Sequence, residues 1–184
     1  MLTKLDVKKA CNDAAEIEQN SAKNADLITV DIEQNPVILA AKNIRILLKK
    51  RFKGFKFSVR KREHNCIDVT WCDGPTKEAV NAVIGKFQRG CFDTMSDCYK
   101  YNDSEFNRNY GGVKYLFPER SLSDALITEA IELLREECGK NAVPADTTLQ
   151  AYREGHLGHK GYEFFYHGLS FAITERASKI DKTV

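Results

Sequence analysis

The chain has 184 residues, 42% apolar and 29% charged, with a formal net charge of +2. That composition is ordinary for one soluble globular domain, with room for an appendage. No apolar run approaches the roughly 18–20 residues that cross a bilayer. The start, Met1-Leu2-Thr3-Lys4-Leu5-Asp6, also lacks the apolar core of a signal peptide, so the expected location is the cytoplasm. Residues 3–24 predict a helix with Val7, Ala10, Cys11, Ala14, Ala15 and Ile17 on one weakly apolar side. Residues 25–34 hold Leu27, Ile28, Val30 and Ile32, which suit either a short strand or the approach to the next helix.

Asn35-Pro36 is a helix start, because Asn caps and Pro fits the first turn. From there Val37, Ala40, Ala41, Ile44, Leu47, Leu48 and Phe52 recur every three or four residues as a buried stripe, and Gly54 ends the helix. Phe55 to Lys61 and Cys66 to Trp71 then alternate. Phe55, Phe57, Val59, Ile67, Val69 and Trp71 point one way, which predicts an antiparallel hairpin over 55–71. Pro75 opens a helix with Val80, Val83, Ile84 and Phe87 inside, stopped by Gly90. Cys91 to Gly112 is polar and aromatic and is expected to be a long loop. Residues 112–117 predict a third strand with Val113, Tyr115 and Phe117 on one face. Ser121 or Ser123 caps a last long helix buried by Leu126, Ile127, Ala130, Leu133 and Leu134. After Pro144 the pattern blurs. Tyr162 to Phe171 suits a strand or an amphipathic closing piece, and Lys179 to Val184 are expected to fray.

This order predicts an α+β fold: a two-layer sandwich with a small antiparallel or mixed sheet and helices on one face. Its expected divisions are an N-terminal helical extension (1–34), the α+β core (35–140) and a C-terminal extension packing on it (141–184). The other sheet face, carrying Lys56, Arg60, Thr70 and Lys114, is expected to be open.

Charge is unevenly placed. Lys42, Arg45, Lys49, Lys50, Arg51, Lys53, Lys56, Arg60, Lys61 and Arg62 fall within 21 residues that contain no Asp or Glu. Lys42, Arg45, Lys49 and Lys53 recur at helical spacing, so they form a ridge apart from the apolar stripe. Such a ridge, continued onto a sheet face, suits phosphates and a salt-sensitive, sequence-tolerant grip. The duller alternative is a solvated helix face set against an acidic part of the same fold.

Other chemistry-bearing groups are weaker. Asp73, Asp93 and Asp97 offer carboxylates for a divalent metal, yet each also suits a cap or turn. His64, Cys66, Cys72, Cys91 and Cys98 lack the tight spacing of a zinc site, and six scattered cysteines without a secretion signal predict reduced thiols. Glu154, His156, His159 and His167 form the only histidine cluster and suit either a metal or a polar loop. Tyr99, Tyr101, Phe106 and Tyr110 are expected to pin the long loop to the core rather than to stack on bases. No phosphate-cradling or metalloprotease motif and no nucleophile elbow is present, so no cofactor is expected.

Several blocks together resemble a known family. Phe57-Ser-Val-Arg60, Val69-Thr-Trp-Cys-Asp-Gly-Pro-Thr76, Phe87-Gln-Arg-Gly-Cys-Phe-Asp-Thr-Met-Ser-Asp97 with Tyr99, and Gly112-Val-Lys-Tyr-Leu-Phe117 with Arg120 and Ser123 are similar to a large polyvalent protein-associated domain, number twenty-nine of its series. The resemblance spans about residues 36–124. It implies a protein of phages or conjugative elements, a context associated with blunting host defences by antirestriction and related activities. Three functions follow as expectations. The first is a non-enzymatic binder of nucleic acid or of a nucleoprotein defence complex, an anti-restriction or anti-CRISPR inhibitor that acts without mimicking DNA, since the chain is not acidic. The second is a metal-dependent nucleic-acid-processing enzyme using Asp73, Asp93 and Asp97. The third is an interaction protein that oligomerises through its N-terminal helix.

Overall fold

A computed structural model of the chain describes residues 24–31, 35–102 and 104–183. The expected N-terminal helix over 3–24, and with it the self-association surface, lies outside the described residues except for Asn24. Residues 28–31 form neither strand nor helix.

Helix α1 (Pro36–Arg51) starts where the sequence predicts. The Asn35 side chain accepts a hydrogen bond from Val37 N at 2.9 Å, with Pro36 in the first turn. Val37, Ala40, Ala41, Ile44 and Leu48 are buried on the predicted stripe. Asn43 is buried as well. Its Oδ1 accepts from Ile28 N at 2.8 Å, and its Nδ2 donates to the carbonyls of Ile28 and Tyr110 at 2.8 and 2.9 Å. One satisfied amide thus fastens two distant segments to α1.

Strands β1 (Ser58–Arg62) and β2 (Cys66–Cys72) pair antiparallel, Val59 opposite Val69 and Arg60 opposite Asp68. Their three-residue link carries left-handed backbone at His64 and Asn65. Helix α2 (Lys77–Ile84), capped by Thr76, runs on through a short 3-10 turn to Phe87. Gly74 precedes it with φ of +59°, and a Cβ there would lie 2.6 Å from the Phe55 ring, so glycine is required on both counts.

The expected long loop is ordered. It forms a second hairpin, β3 (Gly90–Asp93) with β4 (Cys98–Tyr101), followed by helix α3 (Glu105–Tyr110) capped by Ser104. Strands of four residues are too short for alternation to announce them. The turn between them is closed by Asp93, whose carboxylate accepts from Met95 N at 3.0 Å and Ser96 Oγ at 2.9 Å.

Strand β5 (Tyr115–Ser121) lies parallel to β2, giving a mixed sheet of order β1-β2-β5. Its phase is opposite to the sequence expectation. Leu116 and Pro118 are buried, while Phe117 is 39% exposed and Tyr115 half-buried. Val113 is buried, but it belongs to an isolated bridge with Gln88 before the strand begins. The break between them resets the alternation.

Helices α4 (Asp124–Cys138), α5 (Leu149–Arg153) and α6 (Leu169–Lys179) complete the chain. The architecture is α+β. One apolar cluster joins α1, the three-stranded sheet and α2 around Ile44, Ile67, Val69, Ile84 and Phe87. A second joins α4 to α6 around Leu126, Ile127, Leu157 and Ile173. Packing therefore divides near Leu122, so α4 shares a core with the C-terminal residues. The stretch Tyr162–Phe171, open between strand and amphipathic piece, is turns leading into α6.

Arg120 joins the two clusters. Its guanidinium donates to the carbonyls of Asp73 (2.9 Å), Gly74 (3.0 Å), Ser178 (2.8 Å) and Ile180 (2.7 Å). Asp73 Oδ1 accepts from Ser123 N at 2.8 Å, and Lys182 N donates to Gly74 O at 3.0 Å. Ile180 and Lys182 are therefore tied down within the stretch where fraying was expected. Ile180 is buried, and Lys182 pairs with Glu129 at 2.6 Å.

Candidate nucleic-acid interface

Helix α1 buries most of its circumference and leaves a narrow exposed strip of Ile38, Lys42, Arg45 and Lys49. Lys50 and Arg51 follow in the last turn, where cations complement the helix dipole. Arg45 donates to the Val59 carbonyl of β1, which links the strip to the hairpin. Lys53 and Lys56 lie on the connection, and Arg60, Lys61 and Arg62 are exposed on β1. The cations thus run from α1 across the outer strand of the sheet. Two of them meet carboxylates: Lys50 pairs with Asp26, and Arg62 pairs with Asp68 at 3.3 Å. Lys42, Lys49, Lys53, Lys56, Arg60 and Lys61 have no carboxylate at ion-pair distance among the described residues.

The sheet has one covered and one open face. Val59, Ile67, Val69, Trp71 and Leu116 face the helices, and Trp71 Nε1 donates to Pro75 O at 2.9 Å. On the open face the register sets Arg62, Cys66 and Tyr115 in one row and Arg60, Asp68 and Phe117 in the next. Thr70 and Glu119 share the row after that. Of the residues expected there, Arg60 and Thr70 lie on it. Lys56 precedes the strand, and Lys114 lies at its end with its ammonium 5.2 and 5.3 Å from the Tyr99 and Tyr115 ring centroids.

Tyr115 and Phe117 on this face belong to a file of four rings that runs on to the second hairpin. Centroid separations are 4.8 Å from Tyr101 to Tyr99, 5.1 Å from Tyr99 to Tyr115 and 6.1 Å from Tyr115 to Phe117. The Tyr99 hydroxyl donates to the Lys114 carbonyl, which holds the β3–β4 hairpin beside β5. Burial, and then the neighbouring tyrosines, push the Tyr99 phenol above its usual range and keep it a donor. The expected pinning of aromatics to the core applies to Phe106 and Tyr110, which pack on the first cluster. Tyr101 is instead 67% exposed. Tyr115 and Phe117 were not legible as surface rings because strand phase decides which side they take. The one available signal was that Leu116 and Pro118 alternate with them.

The acidic residues do not converge. Asp73 is held by Ser123 N and sits in the β2–α2 turn with φ of +51°. Asp93 lies at the tip of the second hairpin, paired with Lys100 and bonded to Ser96, contacts that lower its carboxyl below its usual value. Asp97 is exposed in the same turn with φ of +49°. Among the described residues no group of three or more His, Cys, Asp or Glu is gathered to hold a metal. His156 lies 3.3 Å from Glu154, while His167 packs between Tyr166 and Phe171. Cys66, Cys72, Cys91, Cys98 and Cys138 are free thiols.

Residues 36–123 match the family model described as large polyvalent protein associated domain 29. That stretch of the chain is similar to the domain. The match, close to half of the chain, begins at the first residue of α1 and ends at the Ser123 cap of α4, so the domain is the first apolar cluster together with the cation strip, the open sheet face and the second hairpin. It places the chain among phage- and mobile-element-associated proteins. Comparison with curated proteins and with solved structures finds no match. Among the described residues no helix is long and apolar enough to cross a membrane.

Proposed function

We propose that this protein is a non-enzymatic accessory factor of a phage or mobile element. It acts in the host cytoplasm by binding nucleic acid, or a nucleoprotein complex of a host defence, in a counter-defence role. One observation carries the proposal: the matched stretch exposes cations from Lys42 to Arg62 along α1 and β1, and all but Lys50 and Arg62 lack a carboxylate partner among the described residues. Uncompensated charge in that arrangement neutralises phosphates, and the released counterions make affinity fall steeply with salt. Two of the three acidic candidates have local structural tasks: Asp73 accepts from Ser123 N, and Asp93 closes the turn of the second hairpin.

The test is a gel shift of the full chain at two salt concentrations, compared with a Lys42→Glu/Lys49→Glu/Arg60→Glu variant. Arg45 is left intact because it bonds to Val59. The unaltered protein binds with a log–log salt slope of about −0.9 per duplex phosphate neutralised. The triple variant loses both affinity and slope. A salt-independent shift, or one indifferent to the charge reversals, overturns the proposal.

A further inference from the structure

The geometry points to the open sheet face as a base-stacking platform for single-stranded nucleic acid, with Tyr101, Tyr99, Tyr115 and Phe117 as the rings. The inference rests on the binding proposed above and assigns to it the strand state that is recognised. Three observations support it. First, rings usually leave solvent, yet here Phe117 and Tyr101 are 39% and 67% exposed at the two ends of one connected file. Second, each β5 ring shares a row with an arginine on β1: Phe117 with Arg60, which has no carboxylate partner among the described residues, and Tyr115 with Arg62, which pairs with Asp68. The two strands are separated by two inter-strand spacings, about 9.6 Å, so a base on the ring leaves its sugar-phosphate to lie toward the arginine edge. Third, the Lys114 ammonium over Tyr99 and Tyr115 adds positive charge within the file itself.

Spacing selects the strand state. Rows two residues apart on a strand are separated by about 6.7 Å, roughly twice the 3.4 Å rise per nucleotide within a duplex strand. Two successive bases can therefore meet Tyr115 and Phe117, the near-parallel pair of the file, only when they are unstacked from each other, and a duplex keeps its base faces inside. The face also carries acids. Asp68 is taken up by Arg62, and Glu119 lies one row beyond Phe117, so the favourable end of the platform is the one formed by Tyr115 and the second hairpin. Stacking tolerates any base, which predicts weak sequence preference.

The experiment is a fluorescence-anisotropy titration of the full chain with labelled oligothymidylate and oligouridylate of about 16 nucleotides, the upper site size for a single small platform, and with a duplex of equal length. Phe117→Ala and Tyr101→Ala each weaken single-strand binding about 5- to 150-fold, the range for losing one stacked base. They leave duplex affinity and the salt slope unchanged. Phe117→Leu preserves an apolar strand residue and loses the same affinity, which separates stacking from folding. Comparable loss for both oligonucleotides assigns the ring file to either sugar; loss for one alone assigns it to that nucleic acid. Equal weakening of duplex and single strand, or ring variants within twofold of the parent, overturns the platform and leaves the proposed function standing. Failure of the parent chain to bind any of the three probes overturns both.

Discussion

Replacing Arg120 by alanine removes a side chain that bonds both to the sheet cluster and to the C-terminal segment. Four carbonyl oxygens lose a donor: Asp73 and Gly74 in the matched domain, Ser178 and Ile180 beyond it. Burial pulls the guanidinium below its usual pKa, so it is partly desolvated, yet it stays charged at any ordinary pH. The bond to Ser178 is exposed, and water replaces it at little cost. The other three are partly buried. At about 1 kcal/mol net for each of those, the loss is about 3 kcal/mol. For a chain of this length that corresponds to a fall of about 6–12 °C in Tm. Arg120→Lys restores no more than about 1 kcal/mol, because one ammonium cannot span carbonyls that a planar fork reaches together. Urea denaturation followed by circular dichroism and by fluorescence of Trp71, the only tryptophan, measures the loss. Trp71 lies in the first cluster, whereas the helical signal comes from both. The two transitions coincide in the parent chain and separate in the alanine variant as the clusters uncouple. A loss under about 1 kcal/mol, with coincident transitions, would refute the role given to Arg120.

Two other perturbations follow from the same geometry. Asn43→Ala strips the partners from Ile28 N, Ile28 O and Tyr110 O and costs about 3 kcal/mol, at about 1 kcal/mol net for each of these partly buried bonds; amide exchange should show Ile28 losing protection before the sheet does. Asp93 is a pH-sensitive clasp. Lys100 first, then Ser96 and Met95, hold its folded pKa below the unfolded value, so its contribution is present above about pH 3.9 and is lost as pH falls through the folded pKa. Chemical shifts of the Met95 and Ser96 amides should move over that acid range in the parent chain and stay flat in Asp93→Asn.

Much of this protein is written in local pattern. The α1 stripe, its Asn-Pro start, the first hairpin and the concentration of cations all follow from residue spacing, because helix and strand periods determine which side chains share a face. The sign and crowding of charge are likewise properties of the sequence. Other features depend on contacts between residues far apart. The second hairpin is held by a tyrosine hydroxyl on Lys114 and by a turn built around one aspartate. The phase of β5 was set by its parallel pairing with β2 and by the break after Val113, and that single reversal turned Tyr115 and Phe117 outward. The tether of the final residues required Arg120 to meet carbonyls 46 to 60 positions away. Periodicity reports which residues travel together. Only packing decides which of the two faces they take, and the ring file exists because the tertiary structure chose the open one.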